Sequence, residues 1–211
     1  SLLGGGAASA QDLRKEATTA TKSANQRLLN ELPFGDKSDF ENARRGFVAP
    51  LPPDTIEGQG GNLIWNPQQY GFIKPDAAAP DTVNPSLWRQ AQLTNVSGLF
   101  EVTEGIYQVR NADLSNMTII EGQEGITVVD PLVSAETAKV AIDLYYANRG
   151  QKPVKAVIYT HSHVDHYGGV RGVVDESDVT SGKVKIYAPE GFLEAAVAEN
   201  VMAGNAMSRR A

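Results

Sequence analysis

The hydrophobic pattern of the chain changes period twice between Gly105 and Thr160. Three short runs, GIYQVR (Gly105–Arg110), MTIIEG (Met117–Gly122) and GITVVDP (Gly125–Pro131), are rich in Ile, Val and Tyr and are separated by Asn, Asp and Gly. This is the pattern of consecutive strands. After Asp130 and Pro131 the apolar spacing becomes helical, with Ala138, Ala141, Ile142 and Tyr145 on one face, Ser134 as N-cap and Gly150 just past the end. VKAVIYT (Val154–Thr160) is almost continuously apolar and predicts a strand buried on both faces. KVKIYAP (Lys183–Pro189) predicts another strand, and Glu190 to about Met202 a helix with Leu193, Val197 and Val201 facing inward. Strands alternating with helices argue for an α/β layered domain.

The first half reads differently. Gln11 to Leu32 has Leu13, Ala17, Ala20, Ala24 and Leu28 at helical spacing and predicts one helix, which Pro33 and Gly35 break. From Phe47 to Pro85 the text is dense in Pro, Gly, Asn and Asp, which leaves few regular elements, with Trp65, Tyr70, Phe72 and Trp88 to pin the segment onto a neighbouring surface. The predicted organisation is therefore an extension over residues 1–97 and the beginning of a layered domain over 98–211.

Composition narrows the function classes. The net charge is −6 and no run of Lys or Arg forms a stripe, which argues against a generic nucleic-acid or anionic-membrane surface. No apolar run approaches the roughly 18 residues needed for a membrane span. The chain has no cysteine, so disulfides and thiolate ligands are excluded. Near the start, Ala8-Ser9-Ala10 has the small-x-small form of a signal-peptidase site, although a plain Gly/Ala-rich terminus reads the same way.

All 3 histidines lie in one stretch, THSHVDHYGG, directly after the apolar strand. Side chains at the carboxyl end of a buried central strand occupy the usual ligand position of such sheets. His161 and His163 are two apart and point to opposite faces of a regular strand, so to share an ion the backbone must leave the sheet and curl; Gly168 and Gly169 suit this by positive φ and close packing. Imidazole nitrogens suit zinc and other borderline divalent ions, and Asp165 adds a hard charged oxygen. Four ligands in six positions exceed what one small ion takes from so short a segment. A natural arrangement puts His161 and His163 on one metal and Asp165 and His166 on a second, with a hydroxide between them as nucleophile. Asp165 is also a candidate for orienting that water. Asn116, in a loop between two predicted strands, is a candidate polar contact whose simpler reading is a turn residue.

The His-x-His-x-Asp-His pattern followed by Gly-Gly resembles the signature of the metallo-β-lactamase superfamily. Longer blocks, DFENARRGFVA, DTVNPSLWRQAQLT, GLFEVTEGIYQVR, DLSNMTIIEG, VIYTHSHVDHYGGVRGVV and APEGFLEAAVAENVMAGNAMSRRA, resemble one branch, the zinc-dependent alkyl sulfatases. That resemblance implies an αββα sandwich, of which this chain holds the first half behind its helical and irregular extension. It implies hydrolysis of alkyl sulfate esters such as dodecyl sulfate to alcohol and inorganic sulfate by a metal-activated water. It also implies two Zn2+ ions per complete chain, held in this segment by His161, His163, Asp165 and His166, a homodimer formed through regions beyond this segment, and a periplasmic or secreted location. Family members are longer and complete the metal site with further carboxylates and another histidine, so the 211-residue segment alone is expected to be inactive. The alternatives are another hydrolase of the same fold (a lactamase, thioesterase or lactonase), a di-iron redox protein, or a non-catalytic interaction domain.

Overall fold

The computed structural model describes residues 15–204 and 206. A seven-stranded mixed sheet dominates, in the order β1 (Phe47–Ala49), β4 (Gly98–Thr103), β5 (Ile106–Arg110), β6 (Met117–Glu121), β7 (Ile126–Val129), β8 (Val154–Ile158) and β9 (Lys185–Tyr187). Neighbours are antiparallel as far as β7, and β7, β8 and β9 run parallel. A two-stranded ribbon, β2 (Ile56–Glu57) with β3 (Leu63–Trp65), stands apart. Thus β1 belongs to the extension in sequence and to the sheet in space.

The switch from antiparallel to parallel requires a crossover, and helix α4 (Ala135–Arg149) supplies it between β7 and β8. Ser134 Oγ accepts from the amide of Thr137, and Gly150 closes the other end at φ +83°. The helix lays Ala138, Ala141, Ile142 and Tyr145 on Tyr107, Val109, Met117, Ile119, Ile126 and Val128 of the strands, all buried. These strand residues alternate with the half-buried or exposed Gln108, Arg110, Thr118, Ile120, Thr127 and Val129. One face of the sheet is therefore core beneath α4; on the other, Phe100 is buried under Arg110 and against Phe47, while its neighbours along the strands are half-buried or exposed.

One carboxylate ties this packing together. Glu121, at the end of β6, accepts from Tyr145 Oη at 2.7 Å and Arg149 Nε at 3.1 Å, and lies 3.0 Å from Lys152 Nζ. The Arg149 bond, with help from Tyr145 and Lys152, holds the Glu121 carboxyl down at about 2. A folded value below the ordinary 4.5 contributes stability above that value, lost as pH falls through about 2. Glu121→Gln is expected to lower stability by about 2 kcal/mol at pH 7 and to flatten the loss between pH 4.5 and 2. Denaturant unfolding of both proteins across that range checks it, and parallel acid profiles would refute it.

Several sequence expectations are corrected. Helix α1 (Thr19–Glu31) starts behind the N-cap Thr18, not at Gln11; residues 15–18 are not helical, and Leu13 lies outside the described residues, as does Ala8-Ser9-Ala10. Ala20 and Ala24 are exposed, because α1 docks through polar groups: Asn25 Nδ2 donates to the carbonyls of Asp81 and Val83, and Lys22 pairs with Asp81 at 3.2 Å. The Pro-rich text is followed by a regular helix, α3 (Pro85–Thr94), capped by Asn84 and opened by Pro85 at the position where its missing N–H costs nothing. Trp88 does pin this segment, donating from Nε1 to the carbonyl of Ala77 at 2.8 Å. A further short helix, α2 (Ser38–Arg44), precedes β1.

Two further corrections concern burial. In β8 only Val157 is fully buried; Val154, half-buried, packs against the core, and after a register shift Ala156 and Ile158 lie half-buried beside Thr127 and Val129. In α6 (Phe192–Val197), which follows the short α5 (Glu176–Thr180) and β9, the expected inward residues Leu193 and Val197, and Val201 beyond it, are exposed. The helix packs instead through Phe192, Ala196 and Asn200, a stripe at spacing four. Phe192 stacks on Tyr159 with ring centroids 5.4 Å apart.

Candidate metal centre

β8 ends at Ile158, and the chain then leaves the sheet into a single 3-10 turn, Val164–His166. This is the curl that a shared site requires. Its consequence is that all three imidazoles converge: the His161 ring centroid lies 4.6 Å from that of His163 and 4.1 Å from that of His166. Among the described residues, ligand atoms of Asp130, His161 and His166 lie within 4.8 Å of one another, and those of the expected ligands His163 and Asp165 fall outside that group.

The glycines act by closeness and not by φ. Gly168 and Gly169 do not adopt positive φ, contrary to the sequence reading. A Cβ on Gly169 would overlap the carbonyl oxygen of Pro131 and lie 2.5 Å from that of Ser134, and one on Gly168 would overlap the carbonyl of Val133. The loop is thus pressed against the first turn of α4, and the amide of Gly169 donates to the carbonyl of Leu132 at 2.9 Å.

Positive φ appears across the gap, at Asp130 (53°) and Leu132 (65°), where β7 hands over to α4. Aspartate tolerates this region better than most residues. The turn aims the Asp130 carboxylate at the loop, where three donors hold it: Oδ1 accepts from the Thr160 amide at 2.8 Å, and Oδ2 from Thr160 Oγ at 2.6 Å and His166 Nδ1 at 2.9 Å. With these acceptor positions filled, Asp130 orients a ligand in preference to being one.

The proton positions follow. Asp130 accepts from Nδ1 of His166, so neutral His166 presents a bare Nε2. Thr160 gives its one hydroxyl proton to Asp130, so His161 Nδ1, 3.0 Å from Thr160 Oγ, is the donor there and His161 also presents a bare Nε2. His166 Nε2 faces Asp165 Oδ2 at 3.4 Å. Two acceptors at that distance can share a cation, and roughly 3.4 Å is the separation of two ligands held at about 2.1 Å around a tetrahedral zinc. The donor set of imidazoles and a carboxylate fits a divalent metal of that kind.

A second residue missed in the sequence reading is Ser115, neighbour of the candidate Asn116. Asn116 is exposed, whereas Ser115 is buried and donates from Oγ to Asp165 Oδ2 at 2.8 Å, with His166 Nε2 at 3.3 Å. Ser115 is held in turn by Asp113, which is 3% exposed and accepts from the amides of Ser115 and Val133, both at 3.0 Å, and from Thr137 Oγ at 2.6 Å. Burial pushes the Asp113 carboxyl above its ordinary value, and these hydrogen bonds pull against that. One buried carboxylate therefore joins the β5–β6 loop, the turn after β7 and the start of α4 behind the site.

Residues 110–205 match the metallo-beta-lactamase superfamily model. Over 211 residues, all of this chain, a linear primary-alkylsulfatase from a Pseudomonas species is 70% identical, and the chain spans 31% of that protein. The alkyl/aryl-sulfatase BDS1 of Saccharomyces cerevisiae is 53% identical over 96% of this chain and 31% of its own. The solved structure of the stereoselective inverting sec-alkylsulfatase Pisa1 from Pseudomonas superimposes with a TM-score of 0.86 at 52% identity, again over 93% of this chain and 31% of the other. The histidine loop, the strand that leads into it and the turn that orients it thus lie within the stretch that matches the metallo-beta-lactamase superfamily model, in a chain similar along its length to alkylsulfatases of which it spans about 31%.

Proposed function

We propose that this chain is the metal-bearing part of an alkyl sulfatase that cleaves alkyl sulfate esters of the dodecyl sulfate type to an alcohol and inorganic sulfate. The observation that carries the reading is the gathering of three imidazole rings at the end of β8, with ligand atoms of Asp130, His161 and His166 within 4.8 Å and Asp165 3.4 Å from His166, in a chain 70% identical to a linear primary-alkylsulfatase. His161 and His163 would hold one zinc ion, and Asp165 and His166 a second. A divalent metal supplies Lewis acidity there, offsetting the sulfate charge and making water a competent nucleophile near neutral pH. The chain's own residues supply order: Thr160 and Asp130 set which nitrogen of His161 and His166 is bare, and Ser115 fixes the carboxylate of Asp165. Asp165 would also orient the attacking water. Because the chain as a whole is acidic, an anionic substrate is drawn in by the local metal charge and not by the overall field.

The reading extends to a homodimer located outside the cytoplasm, supported by Ala8-Ser9-Ala10 and by the resemblance, and open to cell fractionation and sedimentation. Among the described residues no helix is long and apolar enough to cross a membrane.

Elemental analysis and sulfate release from dodecyl sulfate test the activity, on the complete polypeptide that carries this segment. About two zinc ions per chain are expected, with turnover abolished by a chelator and restored by zinc. Iron without sulfate release would favour a redox protein, and a metal-free active enzyme would refute the reading outright.

A further inference from the structure

Two of the three histidines have a hydrogen-bonded partner on Nδ1, Thr160 for His161 and Asp130 for His166. His163 differs. Its Nε2 lies 3.1 Å from Oε1 of Glu199, a residue 38 positions from the start of the loop and outside its motif. The contact is an ion-pair distance without aligned hydrogen-bond geometry, yet a carboxylate accepts only, so a neutral His163 facing it is favoured with the proton on Nε2 and Nδ1 bare. His163 therefore presents the opposite ring nitrogen to the other two. This tautomer reversal solves a geometric problem. His161 and His163 leave the backbone two residues apart, and reaching a common ion from different directions requires different ring edges.

The fold spends structure on placing Glu199. Immediately after α6 the chain widens into one π turn, Ala198–Met202, closed by the amide of Ala203 on the carbonyl of Ala198 at 3.0 Å. Such single wide turns are rare and recur at functional positions. This one sets Glu199 and Asn200 side by side towards the loop, both half-buried, while Val201 and Met202 point out, 75% and 83% exposed. Asn200 Nδ2 donates to Tyr167 Oη at 3.2 Å, and Phe192 packs on Tyr167 with centroids 5.1 Å apart. The segment is thus clasped to the residue that follows His166. The Glu199 side chain is 20% exposed and the His163 side chain 56%, so the contact lies at the edge of solvent and is anchored from the Glu199 side.

From this geometry we infer that Glu199 is the positioning residue of His163: it holds the imidazole with Nδ1 directed at the metal, as Asp130 holds His166 by the opposite nitrogen. The assignment rests on the metal-site reading above. Glu199 touches neither the substrate nor the reacting atoms; it acts through His163.

The test uses the complete polypeptide with Glu199→Ala and Glu199→Gln, read by zinc affinity in competition with a chromophoric chelator and by imidazole 15N shifts of the metal-free protein above pH 8. The glutamine carbonyl still accepts from Nε2, whereas alanine offers nothing. Glu199→Ala is expected to weaken zinc about 10- to 100-fold, Glu199→Gln to recover most of that loss, and the His163 shifts to report Nε2–H in the parent and a tautomer mixture in the alanine variant. Unchanged affinity in Glu199→Ala overturns the assignment. So does an equal loss in Glu199→Gln, which would make Glu199 a metal ligand. The NMR reading stands even if the alanine variant is poorly folded, because an Nδ1–H tautomer in the parent overturns the inference on its own. A parent that binds no metal sinks the hydrolase reading and this assignment together, whereas a metal-binding parent with an indifferent alanine variant sinks this one alone.

Discussion

Asp130→Asn is expected to separate folding from metal binding. The asparagine side chain keeps one oxygen, enough to accept from the Thr160 amide, which now bonds to Oδ1 at 2.8 Å. Its other end becomes an amide that donates, and that end faces His166 Nδ1 and Thr160 Oγ. To accept from it, His166 must release the Nδ1 proton and carry one on Nε2, the nitrogen that faces Asp165 at 3.4 Å. A protonated Nε2 has no lone pair for a metal. Asparagine also tolerates the φ of +53° at this position, so the backbone is not strained by the exchange. Zinc affinity should fall at least 10- to 100-fold while the melting temperature changes little. Asp130→Ala, by contrast, should lose both, because it strips three donors of their acceptor at a cost of about 3 kcal/mol. Chelator competition and thermal unfolding on the two variants decide the matter. If Asp130→Asn binds zinc like the parent, Asp130 is not the group that sets the tautomer of His166.

The second large effect is steric. Gly169→Ala adds a methyl group where the Pro131 and Ser134 carbonyls and, at 2.8 Å, Ala138 Cβ already stand. Two of these three neighbours are backbone and cannot rotate away, so either the loop lifts or the turn at the head of α4 opens. Overpacking of this kind costs about 3 kcal/mol. Because the same turn carries Asp130, with Leu132 bonding back onto its carbonyl, the displacement reaches the metal-ordering carboxylate directly. Gly35→Ala is the control: nothing lies within 4 Å of its added Cβ, and its effect should stay within about 0.5 kcal/mol. Equal stability of the two variants, measured by denaturant unfolding, would show that the loop does not depend on this contact.

The chain's own text determined a good deal. Alternation in IYQVR, MTIIE and ITVV marks three strands with one buried face, and Ser134, Gly150 and the spacing of Ala138, Ala141, Ile142 and Tyr145 bound a helix that the structure reproduces. These are local signals: period, cap and turn act over a few residues, and no distant partner is needed to read them. The clustering of every histidine in one loop likewise points to metal without any tertiary knowledge.

What the tertiary structure alone decided is everything that depends on distance through space. Ser115 and Glu199 are ordinary polar residues in sequence, 46 and 38 positions from His161, and they matter only because the β5–β6 loop and the π turn after α6 are folded onto the same loop. The role of Asp130 shows the same limit: it reads as the end of a strand, and only its left-handed φ turns its carboxylate to His166. The helical pattern of Leu193, Val197 and Val201 failed for a related reason. Amphipathic spacing identifies a face, but which face is buried is set by where Tyr159 and Tyr167 stand, and they selected Phe192 and Ala196. Ligand identity is written in residue type, whereas the tautomer and aim of each ligand are set by partners that only the folded chain brings near.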